Sequence, residues 1–338
     1  MGEALNQIAT TVRIDEEAAL AARAAWLHFA GGKTQGEVAE ILGVQSTKAH
    51  RLIAKARSEG LIRVFVEGPI AGCIALEESL KQRFGLTQCE VVPNIDDGPL
   101  PLRTLATAGA RYLVNLIQSN RYQMIGIGHG RTLAAAVDAM PTVPAGSTKF
   151  VSLLGGLTRR FAASPFDVIH RLAERTSAES YVMPVPFFAN TVKDKRVLES
   201  QFGVSDAVEM ARNADLYIAG IGEVDRKSFI ATGGMVEDAD IDQVIESGAC
   251  AEIFGYFYDP DGKHMPSPVT DRAMAPRLAD LKSHKIVALA GGTSKTQAIR
   301  AILESGLLFG LITDEATAKR LVSSKPAATA GGKSGKTT

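Results

Sequence analysis

The sequence predicts a two-part chain: an N-terminal all-α, winged helix-turn-helix unit, then an α/β domain with a mainly parallel sheet. Three observations carry this expectation. Residues 34–57, TQGEVAEILGVQSTKAHRLIAKAR, read as two short helices about a glycine turn. Beyond residue 68, apolar runs alternate with amphipathic ones, the pattern of strands covered by helices on both faces. Between the two patterns, Glu67-Gly68-Pro69 interrupts both, which sets the expected domains at 1–67 and 68–322.

The first helix is expected over Glu16–Phe29, with Leu20, Trp26, Leu27 and Phe29 among its apolar positions, ending at Gly31-Gly32. Thr34 with Glu37 forms a capping box, in which hydroxyl and carboxylate each satisfy a free N–H at a helix start. Val38, Ile41 and Leu42 share one face, and Gly43 supplies the left-handed turn. In the next helix Ala49, Leu52, Ile53 and Ala56 follow the i, i+3, i+4, i+7 spacing. The opposite face carries Thr47, Lys48, His50, Arg51 and Lys55, the basic hydrogen-bonding surface that a major-groove helix needs. A plain helical hairpin with a solvated face would share the periodicity. Local charge favours the nucleic-acid reading, because residues 33–63 hold six Lys or Arg against three Glu. Residues 61–66, LIRVFV, have the composition of a strand, the expected wing.

Further on, helix 74–84 is followed by strand 90–92, a loop NIDDGPLP and helix 103–117. Strand 123–127, helix 131–139, strand 149–154, helix 165–175, strand 180–183, helices 192–201 and 205–213 and strand 215–220 continue the alternation. A second group comprises helix 240–246, strands 253–258 and 285–290, helix 295–304, strand 307–312 and helix 314–322. In such a sheet the ligand site lies at the carboxyl ends of the strands. Residues 323–338, rich in Gly, Ser and Lys, are expected to be a disordered tail.

Composition bounds the function. The chain has 338 residues, with Lys+Arg and Asp+Glu balanced at 37 each, so the basic excess near the N-terminus is local. Three widely separated cysteines match no metal spacing and suit a reducing, cytoplasmic setting. No apolar run reaches the ~20 residues of a membrane span, and no basic-then-apolar leader opens the chain.

The sharpest chemical motif is IGIGHGRTL at 125–133, where a strand runs through Gly126, Gly128 and Gly130 into a helix. Glycines admit a ligand close to the backbone, and the free N–H groups of the helix start favour an anion, above all phosphate. Arg131 can grip phosphate oxygens and the Thr132 hydroxyl can add a bond. The dinucleotide pattern GxGxxG fails at Arg131, and no Lys follows to complete a P-loop. The alternative is a purely structural strand–helix turn. AGGTSK at 290–295 repeats the arrangement, with Lys295 as a point charge near an anion. Gly155-Gly156 makes a third glycine turn. Glu223 and Asp225 are carboxylates suited to sugar hydroxyls, and Glu252 can reach a ligand, whereas Asp259, Asp261 and Gly262 build a turn. His129 is the histidine that falls in the site. GxSxG, HExxH and metal-spaced Cys/His sets are absent, so no metal or cofactor is expected.

Several segments together resemble the SorC/DeoR-like bacterial transcriptional regulators: TQGEVAEILGV, RLIAKARSEGLIRV, GIGHGRTL, LLGGL, ADLYIAGIGEVD, EIFGYFYDPDG and IVALAGGTSKTQAIRAILESGLLFGLITDEATA. Their order and spacing cover residues 16–322. The resemblance implies a body similar to sugar-phosphate isomerases and glucosamine-phosphate deaminases. It implies homo-oligomers, dimers or tetramers, that bind double-stranded operator DNA under control of a phosphorylated sugar or polyol. It places phosphate at Gly128, His129, Gly130, Arg131 and Thr132, and turns Lys295 and Glu252 toward the ligand. Two departures stand out: Gln45, Ser46 and Thr47 replace the usual Ser cap, Arg and Pro of the recognition helix, and His129 replaces an aromatic residue. The DNA-contact candidates are therefore Thr34, Gln45, Ser46, Thr47, Lys48, His50, Arg51 and Lys55, and the effector candidates are Gly128–Thr132, Asp225, Glu252 and Lys295. A sugar-phosphate isomerase or deaminase with an added helical unit is the rival expectation. It suffers from the lack of a general base paired with an acid.

Overall fold

The computed structural model describes residues 16–59, 61–62, 71–94, 100–156, 167–281, 283 and 285–323. Most of the expected wing, the Glu67-Gly68-Pro69 break, His284 and the tail beyond 323 lie outside them. The chain divides into two units, 1–66 and 67–338.

In the first unit α1 (Glu16–Ala25), α2 (Gln35–Leu42) and α3 (Ser46–Ser58) enclose an alanine-rich core, including Ala21, Ala24, Ala49 and Ala56 with Val38 and Leu52. The capping box at Thr34 and Glu37 is formed, and Gly43 ends α2 in the left-handed region (φ 64°). Two details differ from the periodicity. The α-helix ends at Ala25 and widens into a π turn over Trp26–Ala30, closed by a Gly31 N–H to Trp26 carbonyl bond of 2.9 Å. Trp26 (65 % exposed) and Phe29 face outward, while Ala21, Ala24 and Ala25 form the buried face of α1. Ile41 is likewise exposed, because Val38 and Ala39 form the buried face of α2.

The second unit begins with α4 (Ala71–Phe84), β1 (Gln88–Val92), α5 (Leu102–Ser119), β2 (Met124–Ile127), α6 (Arg131–Ala139), β3 (Lys149–Ser152), α7 (Ile169–Thr176) and β4 (Ser180–Tyr181). It continues with α8 (Val192–Glu199), α9 (Val204–Arg212), β5 (Leu216–Ala219), β6 (Gly222–Glu223), α10 (Phe229–Thr232), α11 (Asp238–Glu246), β7 (Ala251–Ile253), β8 (Tyr256–Tyr258) and β9 (His264–Met265). α12 (Pro268–Asp271), β10 (Ile286–Leu289), α13 (Thr296–Glu304), β11 (Gly310–Asp314) and α14 (Glu315–Ser323) complete it.

Seven strands form one sheet in the order β1-β11-β10-β5-β2-β3-β4, with every pairing parallel. β5, β10 and β11 are buried along their whole length, as expected for a sheet covered on both sides. From β2 the chain moves outward to β3 and β4, then returns to the other side of β2 at β5. That reversal opens a crevice between the carboxyl ends of β2 and β5, the place where such sheets bind ligands. A 2.8 Å bond from the Gly128 N–H to the Ile218 carbonyl fixes the crevice floor.

The run 253–258, expected to be one strand, is a hairpin within a second, antiparallel sheet of order β6-β7-β8-β9. Its turn is Phe254-Gly255, with φ of 55° and 80°. Positive φ at both central residues suits the twist of a two-residue hairpin. Phe254, a bulky residue in that region, hid the turn from sequence patterning.

Candidate functional site

At the crevice lies a cavity of about 420 Å³. Its wall includes all eight sequence-expected ligand residues: Gly128, His129, Gly130, Arg131, Thr132, Asp225, Glu252 and Lys295. They come from three places: the β2–α6 turn, the segment after β5 with the adjoining β7, and the β10–α13 turn.

The β2–α6 turn is shaped by its glycines. A Cβ on Gly128 would meet the Ile218 carbonyl oxygen at 3.3 Å and the Phe254 ring at 3.6 Å. Gly130, the residue preceding α6, has φ 134°, which an L side chain rarely adopts. No side chain caps α6. The N–H groups of its first turn, which a helix cannot satisfy itself, therefore open beside the cavity. Arg131 is exposed at the rim, and Thr132 is buried.

His129 is held inside. Its Nε2 lies 3.2 Å from Ser152 Oγ, and that hydroxyl donates to the Leu154 carbonyl at 2.8 Å. With its one proton committed, Ser152 can only accept from the ring, so Nε2 carries the hydrogen. Burial lowers the His129 pKa, with Asp167 opposing, so the ring is neutral at pH 7 and keeps Nδ1 as an acceptor.

Glu252 sits against Gly222, where a Cβ would come within 2.7 Å of Oε2. Its Oε1 accepts the Gly255 N–H at 2.6 Å, anchoring the strained hairpin turn. Burial pushes the Glu252 carboxyl up to about 7, against the opposing effects of the Gly255 N–H and Lys295. Burial lowers the Lys295 amine, while Glu223 and Glu252 pull it back up and Arg131 adds to the lowering. Lys295 Nζ donates to the Ile221 carbonyl at 2.9 Å. Asp225 is exposed at the mouth, and its Oδ1 accepts the Lys227 N–H at 2.8 Å, so part of its capacity builds the loop. Ser152, Asp167, Lys227 and the Phe254 ring escaped the sequence reading. Ser152, Asp167 and Lys227 come from segments with no motif of their own, whereas Phe254 lies within EIFGYFYDPDG but reaches the site only because the run folds as a hairpin. Asp259, as expected, makes a turn, with Oδ1 accepting the N–H groups of Asp261 and Lys263.

The arrangement can hold a small, hydroxylated anion. Backbone N–H groups with Arg131 and Lys295 supply positive potential. A neutral imidazole and carboxylates border the same cavity, where hydroxyls can both donate and accept.

In the first unit, Thr34, Gln45, Ser46, Thr47, Lys48, His50 and Arg51 are exposed and Lys55 is half-buried. The Thr34 hydroxyl is engaged within the capping box, accepting from Glu37 N–H and donating to its carboxylate. Thr34 N–H, donating to the same carboxylate, leads the effects that hold Glu37 below the ordinary carboxylate value. Gln45 precedes α3 without a side-chain cap, in line with the altered helix start read from the sequence. Glu17 of α1 lies 3.7 Å from Arg51 and 3.3 Å from Lys55, an anionic neighbour that periodicity in α3 could not reveal.

Among the described residues no helix is long and apolar enough to cross a membrane. Residues 68–323 match the family model described as a putative sugar-binding domain. The chain is 50% identical over 308 residues to the erythritol catabolism regulatory protein EryD of Brucella abortus, covering 91% of this chain and 98% of that one. It is 30% identical to the transcriptional regulator LsrR of Klebsiella pneumoniae, covering 94% and 96% of the two chains. The fold is similar to the full-length sorbitol operon regulator SorC of K. pneumoniae, with TM-score 0.66, 22% identity and coverage of 91% and 99%. The chain therefore belongs to the family of transcriptional regulators built on this sugar-binding domain.

Proposed function

We propose that this regulator binds double-stranded operator DNA through α2 and α3 as a winged helix-turn-helix, and that a small phosphorylated polyol or sugar in the cavity controls that binding. The observation that carries the effector half is the β2–α6 turn: unsatisfied helix-start N–H groups, Arg131 and Lys295 border one cavity. Fixed dipoles and cations of this kind favour a phosphate over a neutral group. The name of the 50% identical relative makes a four-carbon polyol phosphate the first ligand to test.

On the DNA side, Ser46, Thr47 and His50 would contact bases or backbone, and Lys48, Arg51 and Lys55 phosphates or guanine edges. One helix pair gives modest affinity, so a homo-oligomer on a palindromic site is the expected working form. The controlled genes would be those of a carbohydrate catabolic operon, read in the cytoplasm. The effector acts by binding two states with different affinity, typically ~1–3 kcal/mol of coupling.

The experiment selects bound duplexes from a random pool, then measures affinity for the selected site with erythritol 4-phosphate or erythritol added. A change in DNA affinity with the phosphate at concentrations where erythritol is inert supports the reading. Equal responses to both would remove the phosphate cradle. Failure to enrich any duplex would remove the DNA half.

A further inference from the structure

The β10–α13 turn that brings Lys295 to the cavity is held from behind. Asp314, the last residue of β11, is 1% exposed. Its Oδ2 accepts the Gly292 N–H at 2.8 Å and the Thr317 hydroxyl at 2.6 Å, and its Oδ1 accepts the Thr317 N–H at 3.0 Å. The Gly292 N–H is shared with Thr317 Oγ1 at 2.9 Å. Gly291 permits this approach, since a Cβ there would lie 2.3 Å from Asp314 Oδ2. Gly292, at φ 106°, then turns the chain into the short 3-10 segment Thr293–Lys295, where Lys295 N–H donates back to the Gly292 carbonyl at 3.0 Å. A buried carboxylate thus fixes the backbone three residues ahead of the amine.

We infer that Asp314, with Thr317, is the positioning residue of Lys295: it sets the turn that aims the ammonium into the cavity, without touching the ligand. This rests on the proposed effector site. Charge-assisted bonds are the strong ones, and a carboxylate has acceptors only, matching three donors here. Asp314→Asn replaces one acceptor by an NH₂ that faces N–H and O–H donors, so the turn loses its anchor.

The test is a double-mutant cycle read by calorimetric titration with erythritol 4-phosphate and with inorganic phosphate. A second reading needs no ligand: the 13Cε titration of Lys295 in 13C-lysine-labelled protein, assigned through Lys295→Arg. Lys295→Met should weaken phosphate-ligand binding roughly tenfold or more. Asp314→Asn should weaken it by a similar factor in the parent and add nothing in the Lys295→Met background. Its Lys295 titration should move up toward that of an exposed lysine. Thr317→Val should show the same shifts in weaker form, and Thr317→Ser should restore them, which covers the case of a poorly folded Asp314→Asn. Losses that multiply across the two sites, or a Lys295 titration unmoved in both Asp314→Asn and Thr317→Val, overturn the inference. If neither probe binds the parent, or Lys295→Met leaves binding unchanged, the effector reading falls instead, and the lysine titration still decides whether Asp314 places Lys295.

Discussion

Arg51 and Lys295 are both cations with carboxylates for neighbours, yet they work in opposite surroundings. The Arg51 side chain is 70% exposed, with the half-exposed Glu17 carboxylate 3.7 Å away. Lys295 is half-buried, bonded to the Ile221 carbonyl and flanked by the charges of Glu223, Arg131 and Glu252. At ~4 Å, a pair of charges in water is worth about 1 kcal/mol, and several times that nearer the protein interior. The face of α3 is therefore built for many weak, salt-sensitive contacts, each small and replaceable. The cavity relies on a few groups whose protonation and aim are set by burial, so single substitutions there should act strongly.

The largest expected effect lies at Glu252. Burial pushes the folded carboxyl up to about 7 from its ordinary 4.5. The folded chain therefore holds that proton more tightly than the unfolded chain. Stability is highest where both states are protonated and falls as pH rises from about 4.5 to 7, by on the order of 3 kcal/mol if the full shift is realised. Glu252→Gln keeps an acceptor for the Gly255 N–H and removes the titration. The variant should match the parent near pH 4.5 and exceed it at pH 8, with a flatter curve between. Urea denaturation across that range checks this. A variant with the parent's slope would show that the cavity does not hold this carboxyl as a buried acid.

How much of this was legible beforehand follows the same division. Local chemistry announced itself: Thr34 with Glu37 and the turn at Gly43 form contacts with near neighbours in sequence, and the glycines of 126–130 show as a motif although Gly126 and Gly128 pack against distant segments. The strand–helix alternation predicted the parallel sheet, and with it the edge where Lys295 and Arg131 meet. What stayed hidden depends on distant partners or on strain. Phe254 adopts a glycine-like backbone because Glu252 and the hairpin hold it, so 253–258 looked like one strand. Asp314 looked like the start of a helix, and only the fold reveals it beneath Gly291 and Gly292. Trp26 and Ile41, apolar by type, lie outward because small alanines form much of the buried faces of α1 and α2, which periodicity does not register.

On the exposed side, Arg51→Ala should weaken binding to the selected duplex by roughly tenfold or more if Arg51 reads a base, since such contacts are worth ~1–3 kcal/mol. If it meets only phosphate, the loss should be uniform across sequences, with the salt dependence shallower by about one counterion. Affinity measured on matched and mismatched duplexes at several salt concentrations separates the two. No change in either would leave α3 as a solvated helix.

The smallest effect is expected at Glu17, and it is the one that most sharpens the contrast. Its carboxylate lies near both Arg51 and Lys55, and it competes with DNA phosphate for them. Exposed pairs of this kind are worth under about 1 kcal/mol, so Glu17→Gln should raise DNA affinity only a few-fold at low salt. The gain should vanish at high salt, where screening already weakens the pair. It should also be as large on mismatched as on matched duplexes, because removing an anion favours every phosphate backbone alike. A loss of affinity would mean the opposite arrangement: Glu17 would be holding the two cations in the rotamers that DNA requires. The exposed face would then be preorganised by a carboxylate, as Asp314 is inferred to organise Lys295, and the difference between the two regions would be one of solvent alone.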